Sequence, residues 1–175
     1  MPEFRYARGR IAESVQFLTG EIKEFQSDYA NKTLSDYQED SKLQKLMDRT
    51  VENILTALIE VCGAVLAEEG IKAENYGEVL EKCSRFIGLS EYEQRDLSGL
   101  AIQRNRLAHR YLNFRWQAIK MYKDKKDTVL KLIQLVLERE KKGLKKNFWE
   151  DMPAKKVEYV IRIGINDRAQ INHEI

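Results

Sequence analysis

Residues 104–111 of this 175-residue chain read Arg-Asn-Arg-Leu-Ala-His-Arg-Tyr and hold the side chains best suited to chemistry. The chain has only two histidines, and one of them, His109, lies in this basic stretch. Histidine is the side chain that most readily gains and loses a proton near neutral pH. Arg104 can hold a phosphate in the two-pronged contact that a guanidinium makes. Together they have the chemistry that cleavage of RNA without a metal ion requires. The alternative is a solvated or packed histidine in a charged helix.

Basic charge is concentrated in and after this stretch. Residues 104–146 contain 14 Lys and Arg against 4 Asp and Glu, whereas residues 1–103 contain 12 against 19. The net charge of the whole chain is only +2. A basic zone beside a candidate histidine suits the docking of a polyanion. A solvated, lysine-rich helix face would give the same charge pattern.

The spacing within residues 104–111 limits how one helix can use them. On a regular helix Arg104 and Tyr111 lie within about 20° of each other, whereas Arg104 and His109 are about 140° apart. One straight helix therefore does not aim Arg104 and His109 at the same phosphate. Either the helix bends or ends near the motif, or residues of two protomers meet across a symmetry axis. The second option makes a homodimer part of the site.

Apolar residues that recur every three or four positions predict five helices, whose apolar faces we expect to be buried. The residues expected to face inward include the stripe from Ile11 to Phe25, Leu46, Tyr76, and Val129, Leu132, Ile133 and Val136. The predicted helices cover about residues 4–29, 40–69, 76–87, 91–111 and 114–142, with 31–35 as a connection. Gly70 and Gly88 have the position of helix C-caps, and Ser90 with Glu93 has the form of a capping box. Short connections favour antiparallel neighbours. We therefore expect an all-α fold, an up-and-down bundle of about five helices.

The C-terminal residues have a different pattern. Residues 157–165 alternate apolar and polar side chains, which is typical of a strand. A single strand is not stable alone, so this pattern favours an extended tail that pairs or packs over a disordered one. We expect a helical bundle over residues 1–146 and a C-terminal tail over residues 147–175.

Composition bounds the class of protein. With 43% hydrophobic and 33% charged residues, the chain is expected to be a soluble globular protein. No apolar run approaches the length of a membrane span, and the N-terminus lacks a signal-peptide core, which predicts a cytoplasmic protein with no membrane partner. Cys62 and Cys83 fall in apolar helical patterns without metal-ligand spacing, so we expect reduced, buried thiols, no metal ion and no cofactor.

The run from Arg104 to Tyr111 matches the Arg-x-x-x-x-His-x-Tyr signature of the HepT-like toxins, a family of the HEPN superfamily of helical ribonucleases. The polar residue directly after the arginine, Asn105, also fits that signature. Residues 49–55 resemble the family's second helix, and the break at Gly70 and the short helix with residues 76–80 are similar too. The resemblance covers residues 40–115 well. It is loose directly after Tyr111 and is lost from about residue 145 onward.

This resemblance implies a metal-independent endoribonuclease toxin that acts on RNA as a homodimer and leaves a 2′,3′-cyclic phosphate. Arg104 and His109 would be catalytic, and Asn105 would orient them. The resemblance also implies an antitoxin partner, a minimal nucleotidyltransferase, which adds AMP to Tyr111 and so silences the site.

Further basic residues are candidates for holding the RNA backbone, namely Arg106, Arg110, Arg115 and Lys120, although solvation alone would also explain them. The alternative function is a non-catalytic HEPN-type module that binds a nucleotide or a nucleotidyltransferase. A third interpretation is a purely structural helical bundle, in which the signature is a coincidence. A complete set of Arg104, Asn105 and His109 favours the nuclease, because a binding module does not need all three.

Overall fold

The structure, a computed structural model, describes residues 2–109 and 114–143, and the side chains of residues 11–109 and 114–142. The helices in these ranges are α1 (Pro2–Glu24), α2 (Leu34–Glu39), α3 (Ser41–Glu68), α4 (Tyr76–Ile87), α5 (Glu91–Ala108) and α6 (Arg115–Gly143). A π-helical turn, Phe25–Tyr29, continues α1. The described part of the chain contains no strand, so the all-α bundle is confirmed, with six helices instead of about five.

The chain divides into two compact units, Met1–Lys126 and Asp127–Ile175. In the second unit the described residues form the C-terminal part of α6. Its apolar residues recur at helical spacing and are buried as predicted: Val129, Leu132, Ile133 and Val136. The predicted boundary between residues 146 and 147 and the extended tail lie outside the described residues.

Helix α3 supplies much of the core of the first unit. Its apolar residues recur along one broad face, and 13 of its 28 residues are buried. It contacts α1, α2, α4 and α5. By length and composition α3 could also cross a membrane, so the expectation that no apolar run is long enough was wrong. Because 61% of that apolar window is buried inside the protein, its position in the core accounts for its hydropathy.

The side-chain contacts between helices show how they are paired. The amide of Asn53 on α3 donates to Glu21 on α1 (3.0 Å), and Thr50, one turn earlier on α3, contacts Glu24, three residues later on α1. Opposite residue order means that α1 and α3 are antiparallel. The same argument applies to α4 and α5, where Gly77 contacts Ser98 and Arg85 contacts Gln94.

The ends of the helices largely follow the local sequence signals. Ser90 and Glu93 form the predicted capping box at the start of α5. Gly70 and Gly88 have positive φ angles of 67° and 96°, which an L side chain adopts only with strain. The short helix α2 was missed, because its six residues carry only one buried side chain, Tyr37. The sequence does contain a signal for this helix, the capping box formed by Thr33 and Asp36.

The predicted core is mostly confirmed, with two informative exceptions. The apolar stripe of α1 is buried from Ile11 to Phe25. Leu46 and Tyr76, however, were predicted to face inward and are 44% and 46% exposed. Cys62 and Cys83 are buried free thiols as predicted. A hydrogen bond with the Cys83 thiol, together with burial, raises the pKa of Cys62.

Candidate functional site

Helix α5 carries the signature residues to the surface and ends among them. Its last residue is Ala108, and His109 is the C-cap, with φ −91° and ψ 8°. The His109 N–H still donates to the carbonyl of Asn105 at 3.0 Å, so helical geometry persists up to the cap. Of the alternatives left open by the spacing, the helix does end at the motif.

The Arg104 side chain lies where three helices meet. Its Nε donates to the hydroxyl of Thr56 on α3 at 3.3 Å. Its Cζ lies 5.4 Å from the centre of the Tyr76 ring on α4, a distance at which a cation is attracted to an aromatic face. A second nitrogen of the guanidinium, Nη1, donates to the Oδ1 atom of Asn105 at 3.4 Å. The guanidinium is thus positioned by α3 and α4 while it remains half-buried at the surface.

The Arg104 side chain is held in place by neutral groups. Within the described part of the chain its hydrogen-bond partners are two neutral oxygen atoms, on Thr56 and Asn105. Among the described residues, no carboxylate forms an ion pair with Arg104. A guanidinium has five N–H donors, so most of the donors of Arg104 are available to a phosphate.

A groove of about 520 Å³ lies directly beside Arg104. Residues 74–77, at the start of α4, form one part of it. The rest comes from one face of α5, on which lining residues recur at helical spacing: Ser98, Ala101, Ile102 and Asn105. Asn105 therefore belongs both to the groove and to the immediate surroundings of Arg104.

The other predicted site residues are placed as follows. His109 is exposed at the end of α5, and the polar contacts of Arg104 among the described residues do not include it. Arg106 lies about 160° around the helix from Arg104. Nη1 of Arg106 donates to Oε1 of Gln103 at 3.1 Å, and its Cζ lies 4.8 Å from the centre of the Phe114 ring. The structure thus brings Arg104 and Asn105 together and holds Arg106 elsewhere. Arg110 and Tyr111 lie outside the described residues.

A second polar cluster follows the signature and was not expected from the sequence. Arg115, at the start of α6, forms an ion pair of 2.9 Å with Asp48 on α3. The hydroxyl of Tyr37 on α2 donates to the other oxygen of the same carboxylate at 2.6 Å. Burial is the main cause that raises the pKa of Asp48. Burial, followed by the hydrogen bond to Asp48, raises the pKa of Tyr37. This cluster anchors the start of α6 to α2 and α3, so the guanidinium of Arg115, one of the candidates for the RNA backbone, is engaged within the fold.

Two residues in contact with Arg104, Thr56 and Tyr76, were missed as site residues by the sequence analysis. Thr56 is a polar residue within the apolar pattern of α3, and Tyr76 directly follows Asn75, the residue that caps α4. Both signals are present in the sequence, but neither indicates which residue on another helix the side chain contacts. A search of the described residues for groups of three or more His, Cys, Asp or Glu that could hold a metal ion finds none.

Comparison with known protein families gives one match. The model of the family described as "Ribonuclease HepT-like" matches residues 18–122, more than half of the chain. The chain therefore belongs to the HepT-like ribonuclease family. The matched segment includes all of residues 104–111. Comparisons with curated proteins and with solved structures give no match.

Proposed function

We propose that the chain is a metal-independent endoribonuclease toxin of a toxin–antitoxin pair, which acts on RNA in the cytoplasm. Arg104 and His109 are its catalytic residues, and Asn105 orients them. The observation that carries the proposal is how Arg104 is held. Residues of three helices contact its side chain, and its hydrogen bonds within the described part of the chain go to neutral oxygens. Membership of the HepT-like ribonuclease family supports the same substrate class.

The proposed chemistry uses the 2′-hydroxyl of RNA as the nucleophile. His109 transfers a proton, either from that hydroxyl or to the leaving 5′-oxygen. Arg104 stabilises the negative charge that develops on the pentavalent phosphorus. As the 2′-oxygen bonds to phosphorus, the bond to the 5′-oxygen breaks. The products are a 2′,3′-cyclic phosphate and a 5′-hydroxyl, and no step is assigned to a metal ion. Arg106 and Arg110 are proposed to contact the RNA backbone.

The proposed active form is a homodimer. Because helical geometry persists to His109, Arg104 and His109 still project in different directions from α5. Two copies of α5 beside a two-fold axis would supply two arginines and two histidines to one cleft. Light scattering at micromolar concentration should give the mass of a dimer, and a monomer would contradict this part of the proposal.

The proposed regulator is a minimal nucleotidyltransferase antitoxin that adenylylates Tyr111. The added phosphate would compete with the substrate phosphate for Arg104. After co-expression with such a partner, mass spectrometry should find AMP on the peptide that contains Tyr111. Tyr111→Phe should stay toxic in the presence of the partner. If the partner silenced Tyr111→Phe completely, inhibition would have to come from binding alone.

The decisive experiment measures cleavage of a synthetic RNA by the purified protein in excess EDTA. The wild-type protein should cleave the RNA and leave 2′,3′-cyclic phosphate ends. His109→Ala should lower the rate by roughly 10²–10⁴-fold, the usual contribution of a positioned proton-transfer group. The matched control is His173→Ala, which removes the only other histidine and should cleave at the wild-type rate. Equal rates for both variants would refute the assignment, and RNA binding without cleavage would favour a non-catalytic module.

A further inference from the structure

We infer that the groove between α4 and α5 binds a nucleobase of the RNA substrate, next to the phosphate that is cleaved. The inference rests on the proposed function, because it names a second part of the same substrate site. The base would stack on the ring of Tyr76 and place its polar edge among the side chains of the groove.

The groove and Arg104 share two residues. Tyr76 lines the groove, and its ring centre lies 5.4 Å from Cζ of Arg104. Asn105 also lines the groove and accepts a hydrogen bond from Arg104 at 3.4 Å. A phosphate held by Arg104 would therefore lie beside the edge of the groove. The base of the nucleotide that carries this phosphate would then lie near Tyr76.

The size and lining of the groove suit a flat, partly polar ligand. Its volume of about 520 Å³ falls within the range of roughly 300–1,000 Å³ that small-molecule sites occupy. Two of its apolar side chains are unusually exposed, Tyr76 at 46% and Ile102 at 57%. A base stacked on an aromatic ring covers such surface, and every base has a face that can do so.

The polar groups of the groove suit the edge of a base. The amide nitrogen of Asn105 offers donors, whereas Glu74 offers acceptors. The Ser98 hydroxyl donates to the carbonyl of Gly77 and so offers only an acceptor. A wholly apolar ligand would desolvate these groups without replacing their hydrogen bonds. The absence of a side chain at Gly77 allows α4 and α5 to lie close together beside the groove. A Cβ atom there would lie only 3.2 Å from Asn75 Oδ1 and 3.3 Å from Ser98 Oγ.

The test combines a change in the protein with a change in the RNA. The substrate is a short RNA with one cleavage site, in which either nucleotide beside that site is replaced, one at a time, by an abasic ribonucleotide. For the wild-type protein, loss of one of the two bases should lower kcat/KM by roughly 5- to 150-fold. For Tyr76→Ala the same loss should change kcat/KM by less than about twofold, because the stacking partner is already gone.

Two further variants separate stacking from other roles of Tyr76. Tyr76→Phe keeps the ring and should retain the dependence on the base. Tyr92→Ala removes a tyrosine of α5 that is 65% exposed and does not line the groove, so it should behave as wild type. If Tyr76 only supported Arg104, Tyr76→Ala would lower cleavage of intact and abasic RNA by the same factor, and the inference would be wrong.

A binding measurement distinguishes failure of this inference from failure of the proposed function. Fluorescence anisotropy with the same RNAs, made uncleavable by a 2′-deoxy nucleotide at the scissile position, reports affinity without chemistry. Affinity that depends on both the base and Tyr76, in a protein that cleaves no RNA, supports the groove and refutes the nuclease. Cleavage that is indifferent to the base in wild type and in Tyr76→Ala supports the nuclease and refutes the groove.

Discussion

Arg104 precedes residues 110–113 in the sequence and Arg115 follows them. The two arginines have very different surroundings. The Arg115 side chain is 13% exposed and forms an ion pair with Asp48, whose side chain is 12% exposed. Tyr37 completes the hydrogen bonding of that carboxylate. Arg104 is also positioned by neighbouring helices, but within the described part of the chain its hydrogen bonds go to Thr56 and Asn105.

The charge of Arg115 is therefore used within the fold, whereas the charge of Arg104 is available to a ligand. Taking an ion pair out of water costs more than its attraction returns unless the geometry and hydrogen bonding are good. The Asp48 cluster meets that condition only in part, because Nε of Arg115 is buried without a hydrogen-bond partner among the described residues. Arg104 stays half-buried at the surface, so its guanidinium is partly solvated and does not require a carboxylate partner.

The largest expected effect is on catalysis when Arg104 is replaced by alanine. Arg104→Ala should lower the rate of RNA cleavage by roughly 10²–10³-fold, because it removes the group that we propose stabilises the developing charge. The free energy of unfolding should change by less than about 1 kcal/mol, because no buried ion pair is broken. Single-turnover cleavage assays and urea unfolding measure the two quantities. Arg95→Ala, an exposed arginine of the same helix, is the control and should change neither. A fully active Arg104→Ala would show that RNA cleavage does not depend on the charge of Arg104.

The next effect, on stability, is expected when Asp48 is replaced by alanine. Asp48→Ala should lower the free energy of unfolding by about 3–5 kcal/mol, because Arg115 remains buried without its counter-ion. Cleavage per folded molecule should stay within about threefold of wild type. The double variant Asp48→Ala with Arg115→Met should recover part of the loss, since no buried charge is left alone. A loss below about 1 kcal/mol in urea unfolding would show that Arg115 does not depend on this carboxylate.

A smaller loss of stability is expected for Tyr37→Phe, which removes one hydroxyl from the same cluster. One oxygen of the Asp48 carboxylate then lacks its donor, which should cost about 1–3 kcal/mol. Urea unfolding measures the change. The control is Tyr92→Phe, where the hydroxyl belongs to a side chain exposed to solvent, and it should stay within about 0.5 kcal/mol of wild type. Equal stability of the two variants would mean that the Tyr37 hydrogen bond adds nothing measurable.

The sequence predicted those parts of the fold that depend on local pattern. Apolar spacing identified the buried face of α1 from Ile11 to Phe25, and the signals at Gly70, Gly88 and Ser90 identified three helix ends. The same spacing placed Tyr76 in the core, because periodicity assigns a face of a helix but not whether another helix covers it there.

The sequence identified candidate site residues but not their surroundings. Residue types singled out Arg104 and His109, and the resemblance to the HepT-like family added Asn105. The partners of Arg104 lie 48 residues earlier for Thr56 and on a third helix for Tyr76. Asp48 and Arg115 are 67 residues apart. Such pairs depend on how helices pack, and a single sequence carries no local signal for them.

The smallest expected effect is on the pH dependence of stability, where buried and exposed carboxylates should act in opposite directions. Burial raises the pKa of Asp48, so in the acid range the folded protein holds this proton where the unfolded chain has lost it. Its contribution to stability is then present below the unfolded pKa and lost as pH rises through the folded pKa. Asp40 is the N-cap residue of α3, and hydrogen bonds from the backbone N–H groups of Leu43 and Lys42 lower its pKa. This gives the opposite pH dependence.

Unfolding by urea at several values between about pH 3 and pH 6 separates these contributions, because that range spans the ordinary carboxylate pKa. Relative to Asp40→Asn, the wild-type protein should gain stability as pH rises, since the ionised cap is favoured only in the folded state. Relative to Asp48→Asn, the wild-type protein should lose stability over the same range. If both differences had the same sign, then burial would not outweigh Arg115 and Tyr37 at Asp48. The ion pair would then stabilise the fold outright, and the contrast between Arg115 and Arg104 would lie in exposure alone.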